Sequence, residues 1–221
     1  MTPRQVGLLL LLQIPEALVE NLDSLVPEPI VERHPILTVL MLLPLFAAAS
    51  SISAALTTLA LAAIRRGAVP SLASLRVQMR GRWKGLLLSA LISGVLIVAG
   101  LPVILPGIYF MAVYLFVPAV AVVSPVAPAS VYLARSKRLV KSRLWQVLGI
   151  TIGLLAFGLG LHAIGESVGA WLAPGGGSGT AAALLARSGV AVLASLGLNM
   201  GLAWYFLRIW EHFLAGAENG K

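Results

Sequence analysis

Between Lys84 and Ser124 lie thirty-nine consecutive residues, Gly85–Val123, none of them charged. A helix needs only about 20 apolar residues to cross a hydrocarbon core, so this stretch is too long for one crossing and right for two. Its middle, Gly100-Leu-Pro-Val-Ile-Leu-Pro-Gly107, holds two prolines that each remove a backbone donor, and Pro-Gly is a turn dipeptide. The stretch therefore reads as a helical hairpin that reverses near 104–107. Arg80, Arg82 and Lys84 flank one end; Arg135, Lys137, Arg138, Lys141 and Arg143 follow the other. Lys and Arg beside membrane spans are held on the cytoplasmic side, so the charges independently place both ends of the hairpin in one compartment.

Three further apolar blocks, Pro35–Ile64, Leu144–Ala173 and Thr180–Trp210, are each long enough for one crossing. With 59% of its residues apolar and 11% charged, the chain is neither an ordinary soluble domain nor a disordered one. Propagating the topology puts the start of the first block outside and its end at Arg65-Arg66 inside. The flexible stretch Pro174–Gly179 then falls outside, and Arg208 with the tail falls inside. Trp83, Trp145, Trp171, Trp204 and Trp210 sit near the ends of these spans, where indole rings favour the interface. The N-terminal segment is ambiguous. Val6–Ile14 is apolar but Pro15 and Glu16 interrupt it, so it reads as a short kinked span, a flat interfacial helix or a signal peptide that lacks a cleavage site. The first of these is preferred. The expected fold is an all-α integral membrane protein, a single domain with spans at about 6–24, 36–64, 85–104, 106–123, 145–170 and 181–208. That is a bundle of six transmembrane helices, or five if the first segment does not cross, plus two amphipathic cytoplasmic surface helices.

The net charge is +8, and eleven of the 16 basic residues lie in 65–84 and 135–143. Placement against long apolar runs points to anionic headgroups on the cytoplasmic face as partners and away from nucleic acid. Ser71 suits an N-cap for a short helix carrying Leu72, Leu75 and Met79, with Arg76 and Arg80 beside them. A second helix, starting near Ser130, sets Leu133, Leu139 and Val140 against Arg135, Lys137 and Lys141. The candidate anionic-lipid contacts are Arg76, Arg80, Arg82, Lys84, Arg135, Lys137, Arg138, Lys141 and Arg143. There is no cysteine, which removes disulfides, thiolate catalysis and Cys-based metal sites.

The stretches Leu105-Pro-Gly-Ile-Tyr109, Val117-Pro118-Ala119 and Leu133–Gly149 resemble the core of a known family. It is the membrane domain attached to some bacterial glycerophosphodiester phosphodiesterases, together with related stand-alone multi-span proteins. Arg135, Ser136, Leu139, Trp145, Val147, Leu148 and Gly149 match its surface helix entering the next span. Arg66–Ser71 and Tyr205–Arg208 also resemble family features, and the likeness loosely covers 36–215. Ser124-Pro125-Val126 stands where an acidic residue is usual, and Ser142 stands where Gly is usual. The resemblance implies six spans with both termini inside, in the cytoplasmic membrane of a bacterium. It implies no enzymatic activity, because the family's hydrolase is a separate soluble barrel.

Ionisable or amide groups within spans are candidates for function by default. His162 and Glu166 share a helix face, Arg187 lies at similar depth in the last block, where it and Glu166 either reach the outer headgroups, the preferred reading, or pair with each other, and Asn199 lies midway along that block. Gly197-x-x-x-Gly201, Gly149/Gly153 and Gly165/Gly169 have the spacing that lets helix backbones approach. No catalytic constellation, metal-ligand spacing or cofactor motif is found, and none is expected. The leading expectation is a non-catalytic membrane scaffold or lipid-associated accessory protein, with a membrane-protein partner or a second copy as further partners. The alternative is a small transporter or lipid-handling protein with a polar site among the last two spans.

Overall fold

A computed structural model describes the backbone of residues 1–20, 35–100, 103–172 and 181–219, and the side chains over most of that range. Among the described residues all regular structure is helical. In chain order the helices are α1 (Pro3–Leu11), α2 (Ile14–Glu20), α3 (Pro35–Arg65), α4 (Leu72–Met79) and α5 (Trp83–Gly100). They continue with α6 (Leu105–Tyr114), α7 (Val117–Val123), α8 (Ala129–Lys141), α9 (Leu144–Leu172) and α10 (Ala181–Asn219). Four stretches are long and apolar enough to cross a membrane: Leu45–Arg65, Trp83–Gly100, Leu105–Val123 and Ser188–Glu211. A fifth arises if α8 and the start of α9, which meet at 104°, count as one bent unit. The chain is a multi-span α-helical membrane bundle.

The long uncharged stretch doubles back. At the turn, a Cβ added to Gly100 would lie 2.8 Å from the Gly107 nitrogen and 2.9 Å from its Cα, so the helices touch backbone to backbone. At the other end the Arg82 guanidinium donates to the Val122 carbonyl in the last turn of α7, tying the start of α5 to the end of the hairpin. The reversal sits earlier than 104–107. Its descent begins at Ile104, which takes a left-handed φ of 54°, and α6 starts at Leu105 with Pro106 and Gly107 inside its first turn. Proline is at home there, because the first turn of a helix leaves its N–H groups unused anyway. The returning span is also broken at Leu115–Phe116, just before Pro118 in the first turn of α7.

The surface helices are docked on the bundle. In α4 the Ser71 hydroxyl accepts from the Ser74 N–H, and the Ser74 hydroxyl accepts from the Ser71 N–H, giving a reciprocal cap. Leu75 and Met79 are buried, whereas Leu72 is exposed. In α8 the residues Tyr132, Ser136, Leu139 and Val140 are buried against α5, α6 and α7, and the Ser136 hydroxyl donates to the Val113 carbonyl at 2.7 Å. The other faces of these helices carry exposed Arg76, Arg80, Lys137, Arg138 and Lys141, all at the end of the bundle where α3 also finishes. Gly67 closes α3 with a φ of 75°, its N–H bonding the Ile64 carbonyl while Ala68 bonds Ala63.

Two long helices set the depth scale. Arg65, at the end of α3, pairs with Glu211 of α10 at 3.0 Å, so α3 and α10 run parallel and reach the basic end at the same level. The N-terminal helices pack against both of them. Leu9 and Leu12 are buried in the same core cluster as Leu59, Ala203 and Phe206.

Candidate functional site

A proline near the middle of an apolar segment removes one helical hydrogen bond and breaks the helix. Pro15 does this between α1 and α2, leaving Leu12-Gln13 as a turn. The freed backbone is repaired locally: the Gln13 side-chain amide donates to the Leu9 carbonyl at 3.3 Å. Gln13 is fully buried at the break, and one turn later Glu16 is 9% exposed. Their i, i+3 spacing puts both side chains on one face.

That face meets polar groups from two other helices. Gln13 Nε2 donates to Thr57 Oγ1 of α3 at 2.9 Å. The Asn199 amide of α10 donates at 2.7 Å to Gln13 Oε1 and at 3.0 Å to Glu16 Oε2. The side chains of Ser50 and Ser195 also hydrogen-bond the Glu16 carboxylate. Ser50, Ser53 and Thr57 fall on one stripe of α3 by helical spacing, and the buried Ser53 hydroxyl has no partner among the described residues.

This arrangement departs from the way four other hydroxyls in the long helices are handled. Thr58, Ser89, Ser93 and Thr151 each donate back to a carbonyl of their own helix, at 2.8–2.9 Å, which satisfies a hydroxyl in apolar surroundings without a neighbour. Gln13, Glu16 and Asn199 instead bond across three helices. Their depth follows from the Arg65–Glu211 marker. Thr57 precedes Arg65 by eight residues and Asn199 precedes Glu211 by twelve, so at ~1.5 Å per residue the amides lie about 12–18 Å above the ion pair. The hydrocarbon core is about 30 Å thick, which places them near its middle. Ser50 and Ser195, the partners of Glu16, lie one to two turns farther from the basic end than Thr57 and Asn199, so α1 and α2 run opposite in direction to α3 and α10.

An ionised carboxylate is an acceptor only, and here its donors are an amide and two hydroxyls. Among the described residues the ion pair Arg65–Glu211 is the one observed, and none engages Glu16. The Glu16 carboxyl group therefore has no fixed cationic partner among them. No group of three or more His, Asp or Glu suited to a metal ion occurs among the described residues either.

Of the residues singled out in the sequence, Asn199 is buried and belongs to this cluster. The side chains of His162, Glu166 and Arg187 lie outside the described residues. Asn199 bonds Gln13 at the break between α1 and α2 and Glu16 of α2, so the polar cluster lies beside the last span. Gln13, Glu16 and Thr57 were not singled out, because Pro15 and Glu16 read as an interruption of an apolar run. The usable signal was the i, i+3 spacing of an amide and an acid inside that run. Among the candidate lipid contacts, Lys84 is exposed like the cations named above, and Arg135 and Arg143 are half-buried. Arg82 is turned inward onto Val122. Comparison with known proteins finds no matching family model, no curated protein and no solved structure with significant similarity.

Proposed function

We propose that this chain is a small membrane transporter in which a monovalent cation, H⁺ or Na⁺, exchanges at the Glu16–Asn199 cluster. The observation that carries the reading is a helix broken at mid-depth that presents a carboxylate with no fixed counter-ion among the described residues. Discontinuous helices near the bilayer midplane are where transporters build their ion and substrate sites, because the interrupted backbone and its polar side chains can exchange one partner for another. An uncompensated carboxylate in hydrocarbon is costly, and a mobile cation offsets that cost. The unpartnered Ser53 hydroxyl supplies a further oxygen on the same stripe. Residues 6–24 then form a sixth crossing, with both termini cytoplasmic, as the resemblance to the phosphodiesterase-linked membrane domains implies.

The test is ion flux in proteoliposomes carrying an internal pH dye in one arm and an internal Na⁺ dye in the other. Wild type is expected to pass one of the two ions under an imposed potential, and Glu16→Gln to lower that flux about tenfold or more. Flux equal to empty liposomes in both arms, or undiminished flux in E16Q, overturns the reading. A second reading, association with anionic lipid, is favoured by the exposed Arg76, Arg80, Lys84, Lys137, Arg138 and Lys141 at the basic end.

A further inference from the structure

The opposite face of α10 carries a different feature. Gly197 and Gly201 lie two residues either side of Asn199, hence about 200° around the helix from it. A Cβ added to either would meet nothing within 4 Å, and the same holds for Gly149 and Gly153 on α9. The glycines therefore do not bring the two helices into backbone contact. Gly197 and Gly201 line an open groove of about 480 Å³ between α9 and α10, walled by Leu154, Phe157 and Trp204, and Gly149 lines the space next to it. A second cavity of about 640 Å³ continues it toward the basic end, lined by Arg143, Gln146 and Arg208, and the two share Ile150 and Tyr205. The combined groove is apolar along its length and cationic at its mouth.

We propose that this groove seats one anionic phospholipid, its phosphate between Arg143 and Arg208 and one acyl chain along Gly149, Gly197 and Gly201. Gly197 precedes Arg208 by eleven residues, so the groove extends about 16 Å from its mouth, the depth of one leaflet of a ~30 Å core. Charge complementarity selects the headgroup: two guanidiniums line the mouth, and neither has an acidic partner among the described residues. Arg208 also lies over the Trp204 ring at 5.5 Å, a contact that holds the cation beside the groove. Tyr205, which lines both parts, has a buried hydroxyl with no hydrogen-bond partner among the described residues, leaving a donor for a phosphate or ester oxygen. The inference is independent of the Glu16 cluster, which lies on the other face of the helix.

Native mass spectrometry of detergent-purified protein, with phosphatidylglycerol or phosphatidylcholine added, tests it. Wild type is expected to retain one phosphatidylglycerol per chain with about tenfold preference over phosphatidylcholine, given two arginines at the headgroup. Arg143→Gln with Arg208→Gln should erase that preference, and Gly197→Leu with Gly201→Leu should abolish retention of either lipid. A second measurement needs no groove-filling variant: phosphatidylglycerol with brominated acyl chains should quench a fluorescence component that Trp204→Phe removes. Equal retention of the two lipids by wild type, retention unchanged in the leucine variant, or a dimer that the leucine variant splits would each overturn the proposal, the last by making the groove an interface between copies.

Discussion

The hairpin and the α9–α10 pair use the same residue for opposite purposes. In the hairpin, Gly100 faces the backbone of Gly107, and Gly85 faces the Ala127 carbonyl and the Tyr132 ring, each at a distance where a Cβ would sit 2.8 Å from the nearest atom. In the pair, Gly149, Gly153, Gly197 and Gly201 face open space. Helices in hydrocarbon gain no hydrophobic driving force from association, so close packing must supply it. The hairpin takes that route, buries Tyr132, Phe116 and Val120, and is tied by Arg82 to Val122. The glycines of the pair leave space instead. Small-residue spacing along one helix therefore does not show whether its partner is close; only the partner's placement does.

The sharpest way to break this comparison is to add volume in the hairpin. Gly100→Val puts branched carbon where the Gly107 backbone already stands, and backbone cannot rotate aside as a long side chain can. The expected loss is about 3 kcal/mol, the upper part of the usual overpacking range, read as a lower midpoint in SDS-titrated unfolding from mixed micelles. A midpoint unchanged from wild type would mean that the hairpin is looser than described.

Much of the fold was legible because its causes are local or additive along the chain. Length and charge placement alone demanded the reversal, and the Ser71 cap needs only Ser74. The position of the turn was missed by a few residues, because Pro-Gly suits both a turn and a first helical turn and the sequence does not choose between them. The candidate site was largely illegible for a different reason. Pro15 and Glu16 look unaffordable in a span when scored over a window, and the groups that accommodate Glu16 lie far away in sequence: Asn199 stands 183 residues from it. The glycine spacing was visible, but the space beside it depends on helices that the spacing does not specify.

A smaller effect is expected at Asn199, which separates the two faces of α10. Asn199→Leu keeps the branched outline of the side chain and leaves Gln13 Oε1 without its donor and Glu16 with one donor fewer. Interhelical hydrogen bonds within membranes average about 0.6 kcal/mol and reach about 1.7, so the loss of both is expected to cost about 1–2 kcal/mol. A double-mutant cycle with Gln13→Leu should show coupling, because each substitution removes the same bond. Strictly additive losses would mean that the two amides do not meet. The lipid preference assigned to the opposite face should survive N199L.

The gentlest substitution, glycine to alanine, gives the comparison its sign. In a helix interior Ala is favoured over Gly by about 0.5–1 kcal/mol, because glycine loses more backbone freedom on folding. Where the added methyl meets nothing, that preference is all that remains. Gly201→Ala and Gly149→Ala are therefore expected to raise stability by up to about 0.5–1 kcal/mol each in lipid-free micelles, whereas Gly85→Ala, facing the Ala127 carbonyl, should lower it. Thermal unfolding of the three variants in one detergent reads the difference directly. If G201A and G149A destabilise as G85A does, the α9–α10 glycines are packing surfaces after all and the space between them is closed in solution. If they stabilise without added lipid but weaken phosphatidylglycerol retention, the same methyl that favours the helix is encroaching on the acyl chain.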